Sequence, residues 1–381
     1  MSSTGSVIVF AGGGTAGHVN PLLSTIRALR ETDLDFRPLV LGTAEGLEAD
    51  LVPAAGLELL TVARLPFPRR PSLDLVKLPI RLRREVTRLC TEFTSRKVKA
   101  LVGFGGYVST PAYLAAKKLG LPIVVHEQNA RPGMANRLGA NYAAGVALTF
   151  EDTPLKARHG ITRVTGLPLR GEIIDLASQL ESNPQVVSDA AADFFGFSAS
   201  RPTVLVTGGS LGAQVLNESL PAALMQVHET HLELQVIHLT GRGKDKSVSQ
   251  FVTAHDAESW YQVRDYLDEM HHALALADAV VCRAGAATVA ENSALGVPAL
   301  YVPLEIGNGE QALNARGVVR AGGATILKQR DLCPEAVAEI LTSMLTPETN
   351  AQMRAASREV GTTAGAMSLA KLIIEILEAN R

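Results

Sequence analysis

One pattern occurs twice in this chain and decides most of its architecture: a short apolar run, a glycine turn and a helical segment. Residues 7–10 (VIVF) lead into Gly13-Gly14-Thr15-Ala16-Gly17 and the helical stretch 21–30. Residues 204–207 (VLVT) lead into Gly208-Gly209-Ser210-Leu211-Gly212 and a second helical stretch. Each reads as the opening β–turn–α unit of its own doubly wound domain. A chain of 381 residues is too long for one typical core and suits two. Further apolar runs at 39–41, 100–102, 123–125, 146–148, 236–239, 280–282 and 299–302 predict buried strands. Most are continuously hydrophobic, as in strands covered on both faces. Segments of helical length and composition, such as 111–119 and 286–295, lie between them, so the expectation is α/β with parallel sheets and crossover helices. Residues 163–170 (RVTGLPLR) carry Gly and Pro suited to a connection, which puts the boundary near 165–170. The polar stretch 178–189 reads as a loop and the start of the next helix. The last helix, 366–379, has no strand after it and is expected to pack back across the first domain.

Composition narrows the function. Apolar residues make up 46% and charged residues 19%, enough to pack most of the chain. A formal net charge of −2 lacks the basic excess of a general nucleic-acid binder, so no nucleic-acid partner is expected. Cys90, Cys282 and Cys333 are scattered, with no CxxC pair, which argues against a disulfide framework. The N-terminus has no basic region followed by an apolar core, and no run reaches the roughly 18 apolar residues of a membrane span. A soluble or peripheral protein is expected.

The first glycine turn follows a strand and opens a helix, where free N–H groups and the dipole favour phosphate. Gly12-x-Gly14-x-x-Gly17 also matches the dinucleotide fingerprint, but the second strand ends Leu-Gly-Thr (41–43) without the acidic ribose ligand. A lone turn of this kind can be purely structural; two in tandem weaken that alternative. His18, beside the glycines, is a candidate general base, or else a residue that only orders the loop. His126-Glu127-Gln128-Asn129 follows a strand, at the carboxyl end where such sheets bind ligands; the plain alternative is a solvated loop. Gly103-Phe104-Gly105-Gly106-Tyr107 occupies the equivalent edge after the preceding strand. In the second half, residues 282–288 (CRAGAAT) form another candidate diphosphate cradle, and Glu291 one turn inside could take ribose hydroxyls. Alone, Glu291 reads equally well as a solvated helix position. Gln311 and Asn314 follow a glycine-rich loop. His271 and His272 are adjacent, and His228 and His231 have no Cys or carboxylate company, so no metal site and no cofactor are expected. Neither a GxSxG elbow nor a Walker loop occurs.

Segment 64–88 is the strongest surface signal. It carries Arg64, Arg69, Arg70, Lys77, Arg81, Arg83, Arg84 and Arg88 against only Asp74 and Glu85, with Leu65, Phe67 and other apolar residues interleaved. Such a basic amphipathic stretch reads as an element for an anionic membrane surface; the alternative is an ordinary helix packed on the sheet. Pro79 is expected to break or restart the helix.

Together these motifs resemble the MurG family, the UDP-N-acetylglucosamine–N-acetylmuramyl-(pentapeptide) pyrophosphoryl-undecaprenol N-acetylglucosaminyltransferases. The matching segments are GGGTAGHVNP (12–21), GFGGYVSTP (103–111), HEQN (126–129), GGSLGA (208–213), CRAGAATVAE (282–291) and GEQALNA (309–315). They span nearly the whole chain in family order. Ala16, Leu211 and Glu310 depart from the commonest residues at their positions. The resemblance implies a GT-B fold, two Rossmann-like domains with an interdomain cleft. It implies an acceptor and membrane-associating domain over 1–167, a UDP-GlcNAc-binding domain over 168–350, and C-terminal helices over 351–381. It implies inverting transfer from UDP-GlcNAc to lipid I, giving lipid II on the cytoplasmic face of the membrane. Carried over, the donor site comprises Thr15, Ala16, Gly17, Asn129, Arg170, Ser210, Leu267, Ala286, Ala287, Thr288, Val289, Ala290, Glu291 and Gln311. Gly13, Gly14, Gly105, Gly106 and Tyr107 would face the acceptor diphosphate. His18 is the first candidate base and Glu127 the second; no acidic pair at a strand end suggests a bridging metal. A UDP-sugar epimerase or a non-catalytic nucleotide-sugar binder could share the fold, but the first would not need segment 64–88 and the second would not need His18 or the HEQN loop.

Overall fold

The computed structural model describes residues 5–65, 73–209, 212–231, 233–305 and 309–380, with side chains at 73–76 excepted. Phe67, Arg69, Arg70 and Ser210 lie outside the described residues. The chain forms two compact units, Met1–Arg170 with Thr363–Arg381, and Gly171–Thr362.

The first unit holds β1 (Ser6–Gly12), β2 (Phe36–Gly42), β3 (Glu58–Thr61), β4 (Val98–Gly105), β5 (Ile123–Glu127), β6 (Gly145–Leu148) and β7 (Ile161–Val164). They form one sheet in the order β3-β2-β1-β4-β5-β6-β7, with every described pairing parallel. Alternate residues of β1 feed two cores. Val7, Val9 and Ala11 pack with Leu89 and Phe93 on one face, and Ile8 and Phe10 pack with Leu22, Ile26 and Leu29 on the other. Burial on both faces explains why these strands are continuously apolar. The helix Gly365–Ala379 adds Leu369, Leu372, Ile373 and Ile376 to the second of these cores.

The second unit holds β8 (Thr203–Thr207), β9 (Gln235–Leu239), β10 (Tyr261–Arg264), β11 (Ala279–Cys282), β12 (Ala299–Tyr301) and β13 (Ala324–Ile326), in the order β10-β9-β8-β11-β12-β13, again parallel. In each sheet the strand order reverses beside the strand that carries the glycine turn, the topological position where such folds take ligands.

Several expectations need correction. Residues 178–182 are not loop: the helix Gly171–Ser182 runs through them, and Asn183 caps the next helix, Pro184–Phe195, with Pro at its first turn. Pro79 does not end its helix, which runs unbroken over Leu73–Ser95. The stretch Pro347–Ala379 is long and apolar enough on average to resemble a membrane span, but it is interrupted by polar residues. It consists of two helices, Pro347–Val360 and Gly365–Ala379, and the second is a core helix of the first unit.

Candidate functional site

The first glycine turn runs from the end of β1 to the helix Ala16–Arg30. Gly14 has φ +88°, a backbone region that glycine enters without strain. Thr15, the N-cap residue, turns its Oγ1 to His18 Nδ1 at 2.8 Å. His18 is half-buried, and its Nε2 faces Gly105: a Cβ at that glycine would sit 3.2 Å from it. Burial lowers the His18 pKa to about 4, against an opposing pull from Glu48, so the ring is neutral at pH 7. Gly14, Thr15, Ala16 and Gly17 are exposed.

Glu48 was not anticipated from the sequence. It lies six residues beyond the end of β2 and is fully buried. Its Oε2 accepts the Gly14 N–H at 3.0 Å, and its Oε1 accepts the Thr43 N–H and hydroxyl, both at 2.7 Å. Burial pushes the carboxyl pKa up, but these donors outweigh it and hold the group below its ordinary value. The acid missing from the strand tip is therefore present slightly later in the chain, and it bonds the turn itself.

A second turn, Gly105–Gly106, backs onto the first. Gly106 lies so close to Gly13 O that a Cβ there would strike it, and the Ser109 hydroxyl links Gly105 to Ala11 O on β1. Tyr107 projects outward at 44% exposure. Glu127 ends β5, buried, and accepts from Asn129 N–H (3.0 Å), Gly133 N–H (3.0 Å) and Asn136 Nδ2 (2.9 Å). Asn136 also donates to His126 O and accepts from the Tyr113 hydroxyl. Gln128 donates to Gly17 O at 2.9 Å. His126 is fully buried, and burial lowers its pKa to about 4. The HEQN segment is thus a hydrogen-bonded frame rather than a solvated loop. Asn129 is its half-buried outer residue.

In the second unit, Gly209 (φ +84°) and Gly212 (φ +67°) flank the turn after β8. A Cβ on Gly212 would collide with Thr240 O, at the end of β9. Asn217 donates to that same carbonyl at 3.0 Å and accepts from His238 Nε2 at 3.1 Å, while His238 Nδ1 meets the Tyr261 hydroxyl at 2.8 Å. Gly285 caps the helix Ala286–Leu295, whose first turn presents Ala286, Ala287 and Thr288 partly exposed, with Ala290 and Glu291 beyond. The Val289 side chain is 2% exposed and belongs to the core stripe, since a helix must bury one face. Gln311 Oε1 accepts the Leu304 N–H at 2.9 Å, and Asn314 Nδ2 donates to Ala284 O at 3.2 Å. Leu267 is buried at 8% exposure, and Arg170 is half-buried.

Two parallel-sheet units, each opening on a glycine turn, are the arrangement of the GT-B fold. Residues 8–148 match the glycosyltransferase family 28 N-terminal domain and residues 203–373 its C-terminal domain. The chain is 43% identical to the UDP-N-acetylglucosamine--N-acetylmuramyl-(pentapeptide) pyrophosphoryl-undecaprenol N-acetylglucosamine transferase of Bifidobacterium longum, covering 98% of both chains. It is 46% identical to the protein of that name from Clavibacter sepedonicus, over 97% of this chain and 96% of the other. The crystal structure of Acinetobacter baumannii MurG superposes with a TM-score of 0.76 at 27% identity, covering 97% of this chain and 99% of that one. The chain belongs to the MurG family within glycosyltransferase family 28.

Proposed function

We infer that the chain is an inverting N-acetylglucosaminyltransferase that moves GlcNAc from UDP-GlcNAc to lipid I, yielding lipid II for peptidoglycan synthesis. Membership of the MurG family carries this reading, together with a neutral histidine beside the first glycine turn. The acceptor hydroxyl attacks the anomeric carbon. His18 takes its proton, the bond from that carbon to the diphosphate oxygen breaks, and UDP leaves with the electron pair. With Nδ1–H donating to Thr15 Oγ1, the Nε2 lone pair is the acceptor for the proton. Glu127 is the weaker candidate because Asn129, Gly133 and Asn136 already donate to it.

The second unit is the donor site in this reading. The N-terminus of the helix Ala286–Leu295 offers unpaired N–H groups and a positive dipole end to the diphosphate, with Glu291 reaching the ribose. Leu267 and Gln311 complete the donor contacts of this unit; the family resemblance also implies Thr15, Ala16, Gly17, Asn129 and Arg170, which belong to the first unit. Gly13, Gly14, Gly105, Gly106 and Tyr107 take the acceptor diphosphate. Charge developing on UDP is met by helix N-termini and Arg170.

The first unit also docks on the cytoplasmic face of the membrane. On the helix Leu73–Ser95, exposed Lys77, Ile80, Arg81 and Arg84 follow i, i+3, i+4, i+7 spacing and so share one face, with Ile80 at 74% exposure. Leu65 does not join them: it is buried at 8% exposure, which corrects the expectation that it inserts into lipid. Arg88, half-exposed, is held instead by Glu85 and Thr61 O.

Incubating the protein with UDP-GlcNAc and a lipid-linked muramyl-pentapeptide acceptor tests the activity. The expected product is the lipid-linked disaccharide with release of UDP. UDP-GlcNAc consumed without that product, as in epimerisation, contradicts the reading.

A further inference from the structure

Glu48 is a buried carboxylate bonded to the first glycine turn, and the transfer chemistry set out above does not use it. Three glycines make room for it: a methyl at Gly13, Gly42 or Gly46 would land on its side chain. Burying a carboxylate is costly unless donors replace water, and here two backbone N–H groups and one hydroxyl do so. The Gly14 N–H bond fixes the peptide plane that also bears Gly13 O, the atom against which Gly106 packs. One carboxylate thereby sets the register of both glycine turns around His18. Its charge also favours a protonated His18.

We propose that Glu48 is a positioning residue for the transfer reaction: it locks the two glycine turns together and offsets the positive charge His18 acquires as it takes the acceptor's proton. This rests on His18 being the base. Glu48 does not bond the ring, whose Nδ1 meets Thr15 Oγ1, but its charge stabilises the imidazolium through space without itself accepting the proton. The acid occupies the region where dinucleotide-binding domains present a ribose ligand, but its oxygens are spent on the protein's own backbone. The same residue class serves the loop instead of the substrate.

The test is Glu48→Gln, assayed for turnover and for UDP-GlcNAc KM, with the His18 imidazole titrated by NMR. The amide keeps the shape, loses the charge and presents N–H groups to donors. The expected result is a fall in kcat of about 10- to 100-fold, the range for a lost hydrogen bond to a charged group, with donor KM within about two-fold. The His18 titration should move below its parent value of about 4, a shift that a merely structural role would not produce. The buried His126 also feels the charge on His18 and is present in both proteins. Gly46→Ala keeps the carboxylate but pushes it from its cradle, so it should lower kcat as well, even if Glu48→Gln does not fold. Glu48→Asp, one methylene short of bridging Gly14 and Thr43, should not restore turnover. An unchanged kcat in both folded variants, or an unmoved His18 titration in Glu48→Gln, overturns the proposal. His18→Ala separates the two ideas. Normal turnover there removes the base assignment and the charge-offset role with it, while loss of turnover beside a normal Glu48→Gln removes only the role of Glu48.

Discussion

The two glycine turns are near-copies in sequence, and the chain supports them by opposite means. The first is held by a buried carboxylate, with Gly14 N–H committed to Glu48 and a histidine alongside. The second is backed by neutral groups: Gly212 fits against Thr240 O, which Asn217, His238 and Tyr261 hold in a hydrogen-bonded row. A turn with a buried carboxylate on its Gly14 amide is well suited to stabilise a neighbouring histidine that becomes cationic. A turn backed by neutral partners, beside a helix N-terminus with free donors, suits the diphosphate of UDP. In the proposed reading, nearly the same motif serves proton transfer and the acceptor in one unit and the nucleotide in the other.

The largest effect that could break this contrast is the loss of His18. His18→Ala should lower kcat by about 10²–10⁴-fold, the range for removing a general base. A folded variant with near-normal turnover would move the chemistry to another group.

Acid stability sharpens the contrast next. Burial holds His18 and His126 in the first unit at about 4, and His238 in the second at about 3. In the unfolded chain each titrates near its ordinary 6.5, so the unfolded state takes up protons first as pH falls. Their contribution to stability is present above about pH 6.5 and is lost progressively down to about pH 4, and further for His238. Glu48, held below its ordinary value, adds a loss that begins at lower pH. Trp260, the single tryptophan, lies in the second unit and reports on it by fluorescence. Its urea midpoint should drop steadily between about pH 6.5 and 4, and a flat midpoint would mean that His238 is not held neutral.

How far the sequence could reveal this architecture depends on burial. Nine central strands announce themselves as apolar runs because both faces are covered. The four strands without such a signal, β3, β7, β10 and β13, are the four sheet edges. Their sequences, ELLT, ITRV, YQVR and ATI, mix polar and apolar residues because edges are only partly covered. At the site, the glycine turns, His18 and HEQN could be read as local motifs. Glu48 and Asn136 could not, since each acts through bonds to residues distant in sequence, such as Gly14, 34 positions away from Glu48. Glu48 had one partial signal, an acid shortly after the second strand in a chain that otherwise lacked the acid of its fingerprint.

The smallest effects concern the exposed basic face in the first unit. Each Lys or Arg near an anionic leaflet contributes about 1 kcal/mol, and salt should weaken the attachment. A variant with Lys77, Arg81 and Arg84 changed to Ser should sediment less with anionic vesicles than the parent, and equally little with neutral ones. Equal sedimentation of both proteins with anionic vesicles would return this face to an ordinary solvated surface.

The division of labour between the units is tested most directly by titrating UDP into His18→Ala and Glu291→Ala by calorimetry. The account predicts parent-like affinity for His18→Ala and a loss of about 1–3 kcal/mol for Glu291→Ala, the range for a lost hydrogen bond to a charged group. Weakened UDP binding in His18→Ala together with unchanged binding in a folded Glu291→Ala would contradict it.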